Sequence, residues 1–527
     1  MRARTLTLTR GTIAGWMIPI VAGCAAACSD GGLAAGTDTT AFTRDKLLDP
    51  QTCNQCHQQH FTEWSGSMHA YASKDPVFRA MNARGQKETN GALGDFCVKC
   101  HAPMALAEGA TMNGTDLDSV PEKLQGVTCY FCHNVTEVKG THDNPLVLAN
   151  DQTMRAAIAN PLKYKGHNSE YAPIYDDNAA VTAFQSSTLC GSCHDIVVPG
   201  HFSGSAQDVP LEQTFTEWQS SVFADPTSLV KLNCTSGGGC HMGRVQRVPI
   251  ANPPLPHPTM PTRDARHMHD FPAIDISLTD DDQTRATQLA AVNDKLSIEF
   301  RIEICADFPN GASGTIEVTL ENLSAGHNFP SGASQDRRSW VELHAYRGGQ
   351  ELMSSGVVPQ GVAATTVPGT WLLYDKALKA DGQTAAHMFW DVASLNHQTI
   401  PVSTTANVNQ NQLSHSPFNG ALQPDRVTLT LWVEPIGLDV LDDMIASGFL
   451  DASLRSKMPR IPVQLVGGSG ADGGTASPIT FEWTTAKALS PDGYAKNNHI
   501  CTQSTAPLFG TTPPPLSTSS PAPSSGP

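Results

Sequence analysis

Four segments of the chain read Cys-x-x-Cys-His: Cys53-Asn-Gln-Cys56-His57, Cys97-Val-Lys-Cys100-His101, Cys129-Tyr-Phe-Cys132-His133 and Cys190-Gly-Ser-Cys193-His194. Two thiols at this spacing reach both vinyl groups along one porphyrin edge and form thioethers, and the next imidazole then lies under the iron as its proximal ligand. A fifth segment is longer, Cys234-Thr-Ser-Gly-Gly-Gly-Cys240-His241. Its three glycines let the loop fold back so that both sulfurs still meet the ring. Its alternatives are a single thioether or a disulfide between Cys234 and Cys240. Structural zinc and disulfides are the rivals for the whole set. Neither accounts for a histidine directly after the second cysteine, five times over. The sequence therefore predicts haem c at four sites and a fifth at Cys234/Cys240, with His57, His101, His133, His194 and His241 as proximal ligands.

A chain that binds porphyrins this way can spare other apolar material. Only 6% of the 527 residues are aromatic, 40% are hydrophobic and 16% charged. Between residues 45 and 275 alternating apolar runs are scarce, and loops, short helical stretches, proline and glycine dominate. Five porphyrins supply the missing apolar faces. The formal charge of −16 argues against nucleic acid as a partner. It suits docking to a basic face on a redox partner protein.

The first residues read as an export segment. Arg2, Arg4 and Arg10 precede an apolar run from Thr12 to Gly23, too short for a membrane span. Val21-Ala22-Gly23-Cys24 resembles a bacterial lipobox, in which the cysteine takes a diacylglycerol and anchors the protein to a membrane. Loss of residues 1–23 removes three arginines and no acid, which takes the charge from −16 to −19. Ala25 places no acidic residue after Cys24, which favours an outer-membrane lipoprotein on the periplasmic or cell-surface side of the envelope. Residues 24–44 form a flexible tether. The alternative is an ordinary signal peptide cut near Ala25–Ala27, with Cys28 free or itself the lipidated residue.

The flanks of the motifs carry a family resemblance. Phe61-Thr62-Glu63-Trp64-Ser-Gly-Ser67-Met68-His69-Ala70 resembles the opening of the cytochrome c-554 family. So do Gly126-Val127-Thr128 before the third motif, Leu189 and Asp195 around the fourth, and Thr214-Phe215-Thr216-Glu217-Trp218 before a Cys-His-Met haem. His269-Asp270-Phe271-Pro272-Ala273-Ile274-Asp275 resembles a ligand segment of such cytochromes, with Ala273 where the family has glycine. The resemblance spans about residues 50–275. It implies distal ligation by His69 and His269. His167, in a polar loop before the fourth motif, is the next candidate. His327 lies in Gly326-His327-Asn328-Phe329-Pro330-Ser331-Gly332, which resembles a loop of β-domains appended to multihaem cytochromes and places a ligand between domains. His60, His142 and His201 are reserves, and Met68, Met104 and Met242 could offer a thioether. His344, His387, His397, His415 and His499 read as ordinary surface or core residues.

Beyond residue 278 the pattern changes. Asp280 to Asn293 reads as an acid-started amphipathic helix, with Leu289 and Val292 facing inward, that bridges two domains over 279–294. From 295 apolar residues alternate: Leu296, Ile298, Phe300, Ile302, Ile304; then Ile316, Val318, Leu320; Val341, Leu343; Val427, Leu429, Leu431, Val433; Ile461, Val463, Leu465; and Ile479, Phe481, Trp483. Such strands predict an antiparallel β-sandwich over 295–503. The expected fold class is α+β: a loop- and helix-rich multihaem domain over 45–278, then the β-sandwich. Cys305 and Cys501 would close the latter with one disulfide. Gly467–Gly474 is a loop without the setting of a nucleotide site. Residues 504–527 are a Pro/Ser-rich disordered tail.

These readings favour an exported electron-transfer protein. The alternative is an oxidoreductase acting on a small nitrogen or sulfur compound at a five-coordinate haem. A third reading makes the β-domain a binding module presenting the loops Val357–Thr370 and Thr404–Pro417.

Overall fold

The computed structural model describes residues 41–158, 166–176, 185–235, 240–254, 259–297, 300–308, 313–404, 412–463, 480–488 and 498–500. The export segment, Cys24, Cys28, Gly467–Gly474, Cys501 and the C-terminal tail lie outside them.

Some of the short helices are started by capping side chains. In the haem-motif region, α1 (Gln58–Ser65) follows directly on His57. Proline at the first turn and an Asp75 side chain accepting from the Val77 amide start α2 (Pro76–Glu88). The third motif is itself a helical turn, Cys129–His133, capped by Thr128. The fourth ends a helix, Gln185–His194. A further helix, α3 (Thr214–Ser220), leads towards the fifth. Two-stranded ribbons separate the motifs: Val135–Val138 with Leu146–Leu148, Thr153–Ala156 with Asn168–Tyr171, Asp195–Val198 with Val209–Gln213, and Arg244–Pro249 with Thr262–His267. The sequence hides these ribbons because their faces are only partly buried and lack a strict period of two.

The bridging helix α4 runs from Asp282 to Leu296, capped by the Asp281 carboxylate on the Gln283 and Thr284 amides. Val292 is buried and Leu289 packs on the same core. Leu296, expected to open the first strand, instead closes this helix.

After it, β1 (Phe300–Asp307) and β2 (Gly314–Asn322) form a hairpin. They are followed by β3 (Arg338–Arg347), β4 (Gln350–Ser355), β5 (Trp371–Leu373), β6 (Gln412–Gly420), β7 (Arg426–Glu434), β8 (Ile461–Val463), β9 (Phe481–Thr484) and β10 (Asn498–Ile500). One sheet has the order β6-β2-β1-β10, the other β4-β3-β7-β8, with β5 against β3 and β9 against β7. Phe300, Ile302 and Ile304 of the first sheet share a single buried core with Val341, Leu343, Leu429 and Leu431 of the second. The class is α+β. One pairing departs from the expected antiparallel pattern: β10 runs parallel to β1, with His499 opposite Cys305. Cys305 is disulfide-bonded, and β10 ends one residue before Cys501.

A nine-residue helix, α5 (Leu438–Ala446), joins the two regions. Its Leu438, Leu441 and Met444 pack with Val77 and Ala80 of α2 and with Trp390. Arg84 of α2 reaches Asp443 of α5 at 3.0 Å. Residues 40–527 accordingly form one compact unit. No helix among the described residues is long and apolar enough to cross a membrane.

Candidate haem sites

Four pairs of imidazoles face one another at the same separation. Ring centres lie 6.3 Å apart for His57 and His167, His69 and His194, His133 and His269, and His241 and His327. Their planes are inclined by 27°, 49°, 23° and 16°. A metal–imidazole bond is about 2 Å and a five-membered ring's centre lies about 1.1 Å behind its nitrogen, so two imidazoles sharing one metal stand roughly 6.3 Å apart. Each pair joins a histidine that follows a cysteine motif to one of the four distal candidates. The spacing fits an iron between them.

The ring orientations are fixed from behind. Nδ1 donates to a backbone carbonyl in seven of these nine histidines: His57 to Ile250 (2.8 Å), His101 to Ala72 (3.2 Å), His133 to Arg155 (2.6 Å), His167 to Asn168 (2.9 Å), His241 to Pro272 (2.8 Å), His269 to His267 (3.0 Å) and His327 to Asn328 (2.9 Å). That fixes the tautomer and leaves Nε2 bare, the arrangement a metal-binding histidine needs. Burial works the same way. It lowers His69 and His269 to about 3 and His194 and His327 to about 4, so the rings stay neutral and their lone pairs available.

These pairs face a common interior. A cavity of about 1570 Å³ is lined by the cysteines and histidines of the first, third, fourth and fifth motifs and by His69, His167, His269 and His327. Its walls include Phe42, Phe215, Phe271 and Phe329. Among the described residues no three His, Cys, Asp or Glu side chains are arranged to hold a metal ion by themselves.

The second motif differs. His101 stacks face to face on Phe78 of α2, with centres 4.0 Å apart and planes inclined by 1°. Among the described residues no imidazole stands opposite it as in the other four sites. The reserve histidines do not fill the gap. His60 meets His57 and His269 edge-on, at 5.6 and 4.9 Å. His142 pairs with Asp143, and His201 packs on Phe202. Met104 is fully buried in an apolar cluster with Leu47 and Val98. Four of the five histidines expected to be ordinary have partners away from the cavity: His344 with Glu342, His387 with Asp443, His397 with Asp375 and His415 with Trp371.

Thiol contacts give the order of the sites. The Cys53 thiol lies beside that of Cys129, Cys100 beside Cys193, and Cys190 beside Cys234. Cys132 lies within electrostatic reach of Cys193. The first site therefore adjoins the third, the third the fourth, and the fourth both the second and the fifth.

Two glycines make these contacts sterically possible. Gly126 has φ +70°, and a Cβ there would lie 2.7 Å from the His69 carbonyl and 2.6 Å from that of Ala70. It lets the entry to the third motif run against His69, the ring that faces His194, where Val127 N–H donates to the His69 carbonyl. A Cβ on Gly191, inside the fourth motif, would strike the Phe215 ring.

Several supporting residues escape sequence reasoning. Glu63 and Arg266 form a buried bidentate ion pair at 2.7 and 2.8 Å, with side chains 8% and 6% exposed. Arg337 bridges Asp275 at 2.9 and 3.0 Å and also holds the Ser331 and Pro435 carbonyls. Charged residues of this kind ordinarily mark a solvated face, and only the paired Glu-Trp fragments hinted otherwise.

Residues 52–134 match the family of cytochrome c554 and c-prime. A penta-heme cytochrome c552 from Thermochromatium tepidum shares the fold, at 17% identity and a TM-score of 0.53, over 84% of this chain and 99% of that one. Over its first three cysteine motifs the chain is thus similar to cytochrome c554, and its fold is similar to that of a penta-heme cytochrome c. No curated protein matches the sequence. Its Cys-x-x-Cys-His segments and imidazole pairs are the residues suited to hold haems.

Proposed function

We propose that this cytochrome is an exported electron carrier with five haems c in a branched array, four of them held between two histidines. The observation that carries this reading is the 6.3 Å spacing repeated in four imidazole pairs. Iron held by two imidazoles has no free position and serves only to pass electrons, with its potential set by ligands and burial. The thiol contacts support a route from the first site through the third to the fourth, which branches to the second and the fifth.

The fifth site draws its ligands from both regions, His241 from the haem-motif region and His327 from the loop between β2 and β3. The two sheets with their shared core, read as a sandwich, then act as a scaffold that closes this site. The acidic composition supports docking to a basic redox partner. The Arg-headed leader and Cys24 support export and a lipid anchor at the outer membrane.

The second site supports a further role. With Phe78 beside His101 and no opposing imidazole among the described residues, its haem would keep an open position for a small ligand. That observation favours the second reading, an oxidoreductase for a small nitrogen or sulfur compound, at this site alone. Titrating the reduced protein with carbon monoxide tests both. One molecule bound per chain is expected. None bound shows every iron saturated, which removes the enzymatic reading, and two or more overturns the pairing of the other sites.

A further inference from the structure

The run Thr-Glu-Trp occurs at Thr62-Glu63-Trp64 in α1 and again at Thr216-Glu217-Trp218 in α3, each followed three residues later by a serine, Ser67 and Ser221. The two copies make matching contacts. Trp64 Nε1 donates to the Val127 carbonyl at 2.8 Å, two residues before Cys129. Trp218 Nε1 donates to the Leu232 carbonyl at 3.0 Å, two residues before Cys234. The neighbouring glutamates reach the opposite side. Glu63 accepts from the His269 amide at 3.0 Å. Glu217 accepts from the Asn328 amide at 3.1 Å, the Asn328 side-chain amide at 3.0 Å and the Ser331 hydroxyl at 2.7 Å.

Each copy touches both halves of one site. Val127 leads into the motif that ends at His133, whose facing ring is His269. Leu232 leads into the motif that ends at His241, whose facing ring is His327, next to Asn328. We propose that each Glu-Trp pair is a clamp: two consecutive residues of one helix that fix the gap between the proximal and distal imidazoles of the third and fifth haems. Glu63, Trp64, Glu217 and Trp218 are thus positioning residues.

The physical need is plain. The proximal histidine is tied to the porphyrin through two thioethers, whereas the distal one comes from a remote loop and can swing away. Holding that loop to the same rigid helix that holds the motif removes the freedom and keeps the second nitrogen at bonding range. The clamped pairs are also the two most nearly parallel, at 23° and 16° against 27° and 49°. The copies differ in how the carboxylate is satisfied. Glu63 is neutralised by Arg266, whereas Glu217 relies on hydroxyl and amide donors. Glutamine at 217 can keep one oxygen for the Asn328 backbone amide and the Ser331 hydroxyl, but its NH2 then faces the Asn328 side-chain NH2 and that third bond is lost.

The inference rests on the pairing of His241 with His327, so the test includes a reference for that pairing. The haem-loaded full chain and its His327→Ala, Glu217→Ala, Glu217→Gln and Trp218→Phe variants are compared by high-spin signal and by carbon monoxide bound after reduction. The reference His327→Ala should bind one molecule more than the parent. Glu217→Ala should raise the open, ligand-accepting population at that same site about tenfold, the weight of the lost hydrogen bonds. Glu217→Gln, which keeps two of the three bonds, should fall between the parent and Glu217→Ala. Trp218→Phe keeps the ring but loses the donor, and should show the same extra binding if Glu217→Ala fails to fold. Parent-like spin state and stoichiometry in both Glu217→Ala and Trp218→Phe would overturn the clamp. A His327→Ala protein identical to the parent would instead overturn the pairing beneath it.

Discussion

Replacing His327 by alanine is expected to open the fifth haem site and to loosen the tie between the haem-motif region and the β-sheets. In the parent, His327 sits on a loop anchored to both sides: Thr214 accepts from the Gly332 amide at 2.9 Å and its hydroxyl meets Ser331 at 2.8 Å. The imidazole faces His241 from this loop. Without it one site changes from two axial imidazoles to one. The visible signs are a new high-spin signal, a second carbon monoxide bound per chain and a rise in that site's potential, because one strong donor to the oxidised iron is lost. Redox titration with simultaneous spectroscopy measures all three. An unchanged spectrum would show that the iron at Cys234, Cys240 and His241 takes its second ligand elsewhere.

The other large effect is expected at Arg266. Its guanidinium is bound in a fork to Glu63, and both side chains are almost wholly enclosed. Arg266→Met leaves a carboxylate in the interior with only the His269 amide and Gln59 as donors. Removing one partner of a buried ion pair costs about 3–5 kcal/mol. The double variant Arg266→Met, Glu63→Gln removes the charge as well and should recover much of that loss. Denaturant unfolding of the four proteins completes the cycle. A loss under 1 kcal/mol in the single variant, within the range of exposed ion pairs, would show the pair to be solvated. Because Glu63 also steadies His269, the single variant should bind additional carbon monoxide at the third site.

How much of this was legible depends on the range of the interaction. The cysteine motifs are local: two thiols and an imidazole within five residues state their own chemistry. The alternation in Phe300–Asp307 and Arg426–Glu434 is local too, and both are strands. The candidates His69, His167, His269 and His327 could be named from flanking fragments. Which faces which could not, because His69 follows the first motif and yet stands opposite the histidine of the fourth. That crossing is decided by the close approach of Gly126 to the His69 carbonyl, a tertiary contact with no local signature. Phe78 reads as an ordinary apolar residue of an amphipathic helix, and only the fold lays it on His101. The ribbons between motifs went unseen because the interior they face is shaped for porphyrin rather than for side chains. Leu296 continues the alternating register of the strand that follows. The helix claims it because Leu296 packs into the same core as Val292 one turn earlier.

The central claim is the set of iron environments, and a count of irons by spin state in the oxidised, haem-loaded protein tests it most directly. Mössbauer spectroscopy on iron-57-enriched material gives that count in a single experiment. Five irons per chain are expected, four low-spin between paired imidazoles and one high-spin at His101. Four irons, or five that are all low-spin, would contradict it.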